Sequence, residues 1–462
     1  MPPFTVQEVV RAVHGALVGG DLGVPVTGVS IDSRTLEVGE AFFAIRGHRL
    51  DGHAFVKDAA ARGASCMVVH NLPDEIPRHV PVILVDDTTR ALGRLALFHR
   101  SRFPVSVVAV TGSNGKTTTK ELIAAILARL GPVLKSEASF NNQWGLPLTL
   151  LKLRAEHHAV VLEMGANQRG EIATLAAIAR PTVGVVTTVA AAHTEFFGSL
   201  EEVQREKASL VRAIPPEGRA ILNRDDLRVG AMASLARCPV ILYGISAEAD
   251  VRAVGSVDET VEGVSFTLAI RGDRSPVRLA FAGRHNVLNA LAGAAAGSAL
   301  GLSLAEIVEG LERARPLKGR CVWRRAGGVR ILDDTYNANP AAVDAALAVL
   351  ARARSAGRIL VALGDMLELG EIAEAAHREA GRKLAQLGVA EFVGVGPLAR
   401  HAVDAAREAG LLESHHSETT EDAVAFLLKR LAPGDYLLVK GSRGMRMERV
   451  VDALVARMGG GE

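Results

Sequence analysis

The residues of this chain best suited to chemistry lie together in Thr111-Gly112-Ser113-Asn114-Gly115-Lys116-Thr117-Thr118. Glycines in a short turn let backbone N–H groups crowd onto phosphate oxygens, and a helix opening behind them adds a favourable dipole. Lys116 has the reach for β- and γ-phosphates, and the Thr117 hydroxyl can hold Mg²⁺. The apolar run Val105-Ser106-Val107-Val108-Ala109-Val110 in front reads as a buried strand, and Glu121 to Leu127 behind reads as a helix. Strand, glycine turn, Gly-Lys-Thr and helix predict a loop that binds a nucleoside triphosphate. One position departs from the general pattern. Its first glycine would fall at Val110, and the loop opens with Thr111-Gly112 instead.

Other polar groups fall just after apolar runs. Ala159-Val160-Val161-Leu162 leads to Glu163, an acidic residue at a strand end, well placed to hold Mg²⁺ beside a phosphate loop. Val183 to Thr188 leads to His193, which can bind a cation as neutral imidazole, although a lone histidine is more often structural. Lys207, in a helical stretch, reads on its own as a solvated lysine. Arg284, His285 and Asn286 open a small-residue helix and can meet a base or phosphate there, and Asn289 reads equally as a cap or packing residue. Three further loops follow apolar runs: Asp333-Asp334-Thr335-Tyr336-Asn337-Ala338-Asn339-Pro340, Gly364 to Gly370, and Lys440-Gly441-Ser442-Arg443-Gly444. Each alone is compatible with turn chemistry. Together they predict a wall for charged ligands, because ligands bind at the carboxyl ends of strands in open α/β sheets.

These loops require a β-α alternation to carry them. The 462 residues divide into a first block at 1–100, a nucleotide block at 101–315 and a third block at 316–462. Phe103-Pro104 and Arg315-Pro316-Leu317-Lys318-Gly319 read as the breaks. In the first block, Val26–Ile31, Ala41–Ile45, Cys66–Val69 and Val82–Val85 look like strands, with a helix over Asp87–Arg100. The third block repeats the rhythm, with strands at Val329–Leu332, Ile359–Leu363, Phe392–Val395 and Tyr436–Val439. Lys and Arg total 53 against 51 Asp and Glu, so no basic surplus argues for nucleic acid. Cys66, Cys238 and Cys321 show no metal spacing and no disulfide framework. The N-terminus shows no signal-peptide pattern, and the apolar runs fall short of the roughly 20 residues a membrane span needs. A cytoplasmic protein is the expectation.

Thr-Gly-Ser-Asn-Gly-Lys-Thr, with the strings around Glu163, His193 and Asp334, resembles the Mur ligases of peptidoglycan synthesis over essentially the whole chain. The resemblance implies an α/β fold of three domains: a small UDP-sugar-binding domain, a central P-loop mononucleotide-binding domain on a parallel sheet, and a C-terminal Rossmann-like domain. It implies that Thr111 to Thr118, Asn286, Asp334 and Asn337 bind ATP, with Asn286 and Asp334 at adenine and ribose. Lys116, Glu163, His193 and Lys207 are the implied catalytic set. Thr117, Glu163, His193 and Lys207 would hold Mg²⁺, two ions in all, with Lys207 at the place where many members carry a carbamylated lysine. Here Lys207 is followed by Ala-Ser, where Gly-Glu or Ala-Glu is usual in the family. Ser33, Arg34 and Asp51 fall in strings resembling the UDP-sugar domain. Asn141, Asn142, Asn339, Lys440, Ser442 and Arg443 fall where members meet the peptide substrate.

Asp333 to Pro340 and Gly364 to Gly370 resemble the branch that joins D-alanyl-D-alanine to UDP-N-acetylmuramoyl-tripeptide. The Asp-Asn-Pro-Arg motif of the sister branch is absent. The family further implies a monomer working on small molecules, without nucleic acid or membrane insertion. Two alternatives share the loop: a folylpolyglutamate-type ligase, and a nucleotide-dependent switch that performs no ligation.

Overall fold

The computed structural model describes all residues except 1–3, 48, 73–79, 138–139, 191–193, 354–355 and 460–462. Its described strands form three large sheets and one two-stranded pair. The first sheet runs in the order Ala16–Gly19, Val82–Leu84, Cys66–Val69, Glu40–Phe43, Gly28–Ser30. The last four strands are parallel, and Ala16–Gly19 joins antiparallel at the edge. The apolar run expected as one strand over 26–31 divides. Pro25–Val26 pairs with Phe4–Thr5, while Gly28–Ser30 enters the large sheet. The chain turns between them at Thr27, whose N–H donates to Gly39 O.

The helix Thr88–Ser101 joins the first sheet to the second. Asp87 caps it by accepting from Arg90 N. Its far end is anchored by two buried nitrogen-bearing side chains, His99 and Arg100. His99 Nε2 lies 2.9 Å from Leu153 O between the rings of Phe4 and Phe103. Burial pushes that imidazole down to about 4, so it stays neutral. Arg100 donates to Phe103 O, Val105 O and Ala179 O, which turns the chain into the central sheet.

Nine strands make that sheet. Seven are parallel, in the order Val133–Lys135, Ala159–Glu163, Ser106–Thr111, Val183–Val186, Arg219–Asn223, Val240–Gly244, Val251–Glu259. The inner ones are buried on both faces, which is why they read as unbroken apolar runs. The antiparallel strands Val264–Ile270 and Asp273–Leu279 then extend the sheet, a feature absent from the sequence reading. The hairpin tip reaches the third domain: Trp323 Nε1 donates to Val261 O, and Glu259 pairs with Arg352 at 3.2 Å. Ser106–Thr111 sits between Ala159–Glu163 on one side and Val183–Val186 on the other. The strand order reverses there, opening a crevice at the carboxyl ends.

The third sheet runs Val322–Ala326, Val329–Asp334, Tyr436–Lys440, Ile359–Gly364, Glu391–Val395, Ser414–Ser417. All but the first strand are parallel. Asp334 pairs in register with Lys440, and Lys440 with Leu363, so the three polar loops leave the sheet side by side. No helix among the described residues is long and apolar enough to cross a membrane.

Candidate active site

The crevice gathers the phosphate loop, the end of the Ala159–Glu163 strand and the segment after Val183–Val186. Two glycines are obligatory in the loop. Gly112 adopts φ +147° and a Cβ there would stand 1.8 Å from Thr187 Oγ1; Gly115 adopts φ +80° with Asn289 Oδ1 at 2.4 Å. The loop is stitched to its neighbour strand. Thr187 Oγ1 donates to Asn114 O at 2.6 Å, Asn114 N donates to Thr188 Oγ1 at 3.1 Å, and Ser113 Oγ donates to Ala190 O at 3.0 Å. Thr111 Oγ1 donates to Met164 O. Lys116 heads the helix Lys116–Leu127 and folds back, donating to Gly112 O at 2.8 Å and Ser113 O at 3.2 Å. Burial pulls this ammonium below the usual lysine range, opposed by the charge of Glu163. Thr118 lies half-buried in the first helical turn.

Glu163 is buried, 2% exposed, with both carboxylate oxygens engaged. Thr117 Oγ1 donates to Oε2 and Asn141 Nδ2 to Oε1, each at 2.8 Å. A hydroxyl and a carboxylate meeting at this distance form a hard-oxygen set of the kind Mg²⁺ takes, so the residues fit the ion. His193, the other expected ligand, lies outside the described residues. Arg320 approaches the same hydroxyl from the start of the third domain: Nη2 donates to Thr117 Oγ1 at 3.0 Å while the guanidinium stacks 3.7 Å over Tyr336. Its Nε is buried with no hydrogen-bond partner among the described residues.

Lys207 lies on the helix Leu200–Ala213 and is not a solvated lysine; it is 4% exposed. Burial pushes its ammonium down to about 7, with the Lys116 charge adding to the effect and Glu206 opposing it. Glu206 is committed elsewhere. It accepts from Gly170 N and Ile172 N, both at 2.7 Å, at the start of the helix Glu171–Ala179.

The third domain faces this loop directly. Asn339 and Asn114 exchange amide hydrogen bonds, Nδ2 of Asn339 to Oδ1 of Asn114 at 2.8 Å and the reverse at 3.4 Å. Asn339 Oδ1 also caps the helix Pro340–Ala351 through Ala342 N. Behind it Lys440, 2% exposed, donates to Asp334 Oδ2 and to Asn337 O, and Asp334 Oδ1 accepts from Cys321 N. Ser442 Oγ donates to Ala338 O and accepts from Leu367 N, tying the three loops together. Asn337 Oδ1 takes Ala338 N and Arg443 N. Arg443 is exposed and bonds Glu448. Asn286, expected at adenine, turns its polar atoms inward: Nδ2 donates to Ala282 O and Oδ1 accepts from Asn289.

A cavity of about 1280 Å³ lies between the first and central domains. Ser33 and Arg34 line it with Arg49, Phe140, Trp144 and Lys152. Arg34 pairs with Asp32 at 2.7 Å, which holds that carboxyl down to about 2. Asp51 lies off this wall and caps Gly52–Phe55 through His53 N. Asn142 serves as a local cap, its Oδ1 accepting from Trp144 N and Gly145 N. Asn141 alone of that pair reaches Glu163.

Family models match the three domains in turn. The Mur ligase family catalytic domain matches 25–100, the Mur ligase middle domain 110–297, and the Mur ligase glutamate ligase domain 319–443. The UDP-N-acetylmuramoyl-tripeptide--D-alanyl-D-alanine ligase of Escherichia coli is 36% identical over 98% of this chain and 99% of its own length. The chain belongs to the Mur ligase family. The ligase of the same name from Bacillus subtilis is 32% identical, covering 98% of each chain. Among solved structures, MurF from Acinetobacter baumannii superposes with a TM-score of 0.91 at 35% identity, covering 99% of this chain and 100% of that one. MurF ligase from Thermotoga maritima in complex with ADP gives 0.83 at 28%, covering 93% and 97%. A folylpolyglutamate synthase from Mycobacterium tuberculosis, at 16% identity and TM-score 0.65, shares the fold alone.

Sequence reasoning passed over four residues of this Mur ligase site. Arg320 stood one residue beyond a stretch read as a linker, and Tyr336 inside a loop read for its Asp and Asn. Thr187 and Thr188 ended a strand without a charged group to mark them. A local signal existed for Arg320, a cation just past the Pro-Leu-Lys-Gly break and ahead of the next strand. Its role depends on where the third domain sits.

Proposed function

We propose that this chain is an ATP-dependent ligase that joins D-alanyl-D-alanine to the terminal carboxylate of UDP-N-acetylmuramoyl-tripeptide. Full-length likeness to ligases of that name supports the substrate pair. The observation that carries the chemistry is the meeting of Lys116, Thr117, Glu163, Arg320 and Asn339 at one interdomain crevice.

A carboxylate is a poor electrophile, so it must be activated before an amine can attack. The tripeptide carboxylate oxygen attacks the γ-phosphorus of ATP; the bond to the bridging oxygen breaks, and ADP leaves. The amine of D-alanyl-D-alanine then attacks the acyl carbon, phosphate leaves with the C–O electron pair, and the amine gives up a proton. Negative charge builds on the γ-phosphoryl oxygens in the first step, and Lys116 and Arg320 supply positive charge there. Thr117, Glu163, His193 and Lys207, the last as a carbamate, would hold two Mg²⁺ ions, which neutralise phosphoryl charge when bound. Carbamylation needs a neutral amine, and an ammonium pushed down to about 7 meets that need near neutral pH. The acyl phosphate is prone to hydrolysis, and the third domain's bonds to the phosphate loop serve to close the site against water. The first-domain cavity, with Ser33 and Arg34 on its wall, would take the UDP-sugar end.

The test is phosphate release with ATP, Mg²⁺, UDP-N-acetylmuramoyl-tripeptide and D-alanyl-D-alanine, each omitted in turn. Release that needs all four, with UDP-N-acetylmuramoyl-pentapeptide as product, is the expected result. Release indifferent to the dipeptide would overturn the proposal.

A further inference from the structure

One buried cation near the crevice has no part in the chemistry above. Lys120 follows Lys116 by one helical turn, yet its side chain is fully buried and reaches Ser136. Its Nζ donates to Ser136 O at 2.6 Å and lies 3.0 Å from Glu121 Oε1. Ser136 is also fully buried. Its N–H donates to Val161 O, and its Oγ accepts from Glu163 N at 3.2 Å. The same segment carries Asn141, whose amide holds Glu163 Oε1 and whose carbonyl accepts from Gly165 N at 2.9 Å. Ser136 and Asn141 thus grip Glu163 at its backbone and at its carboxylate. Lys120 fastens Ser136 to the helix that carries Thr117, the hydroxyl facing the same carboxylate.

We infer that Lys120 is a positioning residue for the metal site: through Ser136 it sets where the Glu163 carboxylate stands relative to Thr117. The inference rests on the reading that Glu163 holds Mg²⁺. A buried ammonium is costly to keep unless it is paired and hydrogen-bonded; here Glu121 supplies the pair and the shortest bond goes to the Ser136 carbonyl. Ordinary core packing at this position needs no charge. Metal sites depend on such outer partners, whose loss typically weakens metal binding by about 10- to 100-fold.

The test titrates Mn²⁺ into the ADP-saturated full-length protein and follows free Mn²⁺ by electron paramagnetic resonance, for wild type, Lys120→Met, Ser136→Ala and Glu163→Gln. Methionine keeps the length of the stem and removes the charge. Lys120→Met is expected to weaken Mn²⁺ binding about tenfold or more, and Ser136→Ala to weaken it in the same direction, while ADP affinity without metal stays as in wild type. Glu163→Gln separates the two readings. If it binds Mn²⁺ like wild type, the metal role of Glu163 fails. If it loses Mn²⁺ while Lys120→Met and Ser136→Ala bind like wild type, the positioning role alone fails. A purely structural Lys120 would lower the melting temperature and leave the Mn²⁺ affinity of the folded protein unchanged, which also overturns the inference. Should Lys120→Met not fold, unchanged Mn²⁺ binding in Ser136→Ala overturns it.

Discussion

Replacing Lys207 with methionine should make the protein more stable and inactive at once. The side chain is 4% exposed and has no hydrogen-bond partner among the described residues. Its ammonium falls from an ordinary 10.5 to about 7, chiefly through burial. The sign follows from proton counting. Between pH 7 and 10.5 the unfolded chain holds a proton on this amine that the folded chain has released, so stability rises with pH across that window. Below about pH 7 both states are protonated and the whole penalty is present; above 10.5 it vanishes. At about 1.4 kcal/mol per pH unit, the penalty is roughly 4 kcal/mol at pH 7 and roughly 2 kcal/mol at pH 9. Methionine keeps the stem packed and removes the penalty.

The assay is urea unfolding from pH 6 to 9 in buffer stripped of carbon dioxide, without nucleotide or metal. Wild type should gain stability over Lys207→Met as pH rises, so that the gap between them narrows by roughly 2 kcal/mol from pH 7 to 9. Methionine should be the more stable variant throughout, and ligation should be lost in it at every pH. Parallel stability curves, or a methionine variant less stable than wild type across the range, would refute the claim that this amine is held against its solvation.

The remaining predictions concern the phosphate loop and its partners. Lys116→Ala should lower turnover about a hundredfold or more, the scale of one lost electrostatic stabiliser; near-normal phosphate release would remove the central assignment. Arg320→Lys keeps the charge but cannot both stack on Tyr336 and reach Thr117, so turnover should fall about tenfold with the melting temperature nearly unchanged, read by steady-state kinetics and calorimetry. Asn339→Asp keeps an equally good helix cap and removes the amide donated to Asn114. It should cost about two- to tenfold in turnover, the worth of one hydrogen bond, at wild-type stability, whereas Asn339→Ala should lose about 1 kcal/mol of stability as well. Wild type equilibrated with ¹³C-bicarbonate should show a carbamate carbon signal by NMR that Lys207→Met lacks; the same signal in both would assign it to another amine.

How much was legible depends on whether a residue's meaning is local. Thr111 to Thr118 could be read because the glycines, the lysine and the threonine occupy eight consecutive positions behind an apolar strand. The parallel strands could be read because burial on both faces leaves unbroken runs such as Ala159-Val160-Val161-Leu162. The antiparallel extension could not. Val251–Glu259 buries alternate residues over its first half, then bulges, and Asp273–Leu279 is mostly exposed, so neither presents an apolar run. Asn142 shows how one residue type serves two readings. Its type fitted a ligand contact, and it is spent on the N–H groups of Trp144 and Gly145. Lys207 read alone as a solvated helix lysine because its sequence neighbours are polar. The fold buries it by packing its helix on the one that Glu206 caps.

Two cations of the crevice already hold protein partners before any substrate arrives, and this bears on how binding proceeds. Lys116 rests on two carbonyls of its own loop, and Arg320 on the Thr117 hydroxyl and the Tyr336 ring. A phosphate entering the loop replaces neutral oxygen acceptors with charged ones. Charge-assisted hydrogen bonds are roughly twice as strong as neutral ones, so the exchange is favourable without any donor having to be desolvated afresh. A phosphate that drew the Arg320 guanidinium onto itself would also free the Thr117 hydroxyl. If Thr117 and Glu163 hold the metal as proposed, nucleotide and metal binding would be coupled through that one oxygen, which Arg320 and the metal would both approach. The third domain, which carries Arg320 and Asn339, already touches the phosphate loop without nucleotide, so on the proposed function it would take part in the nucleotide site from the first step.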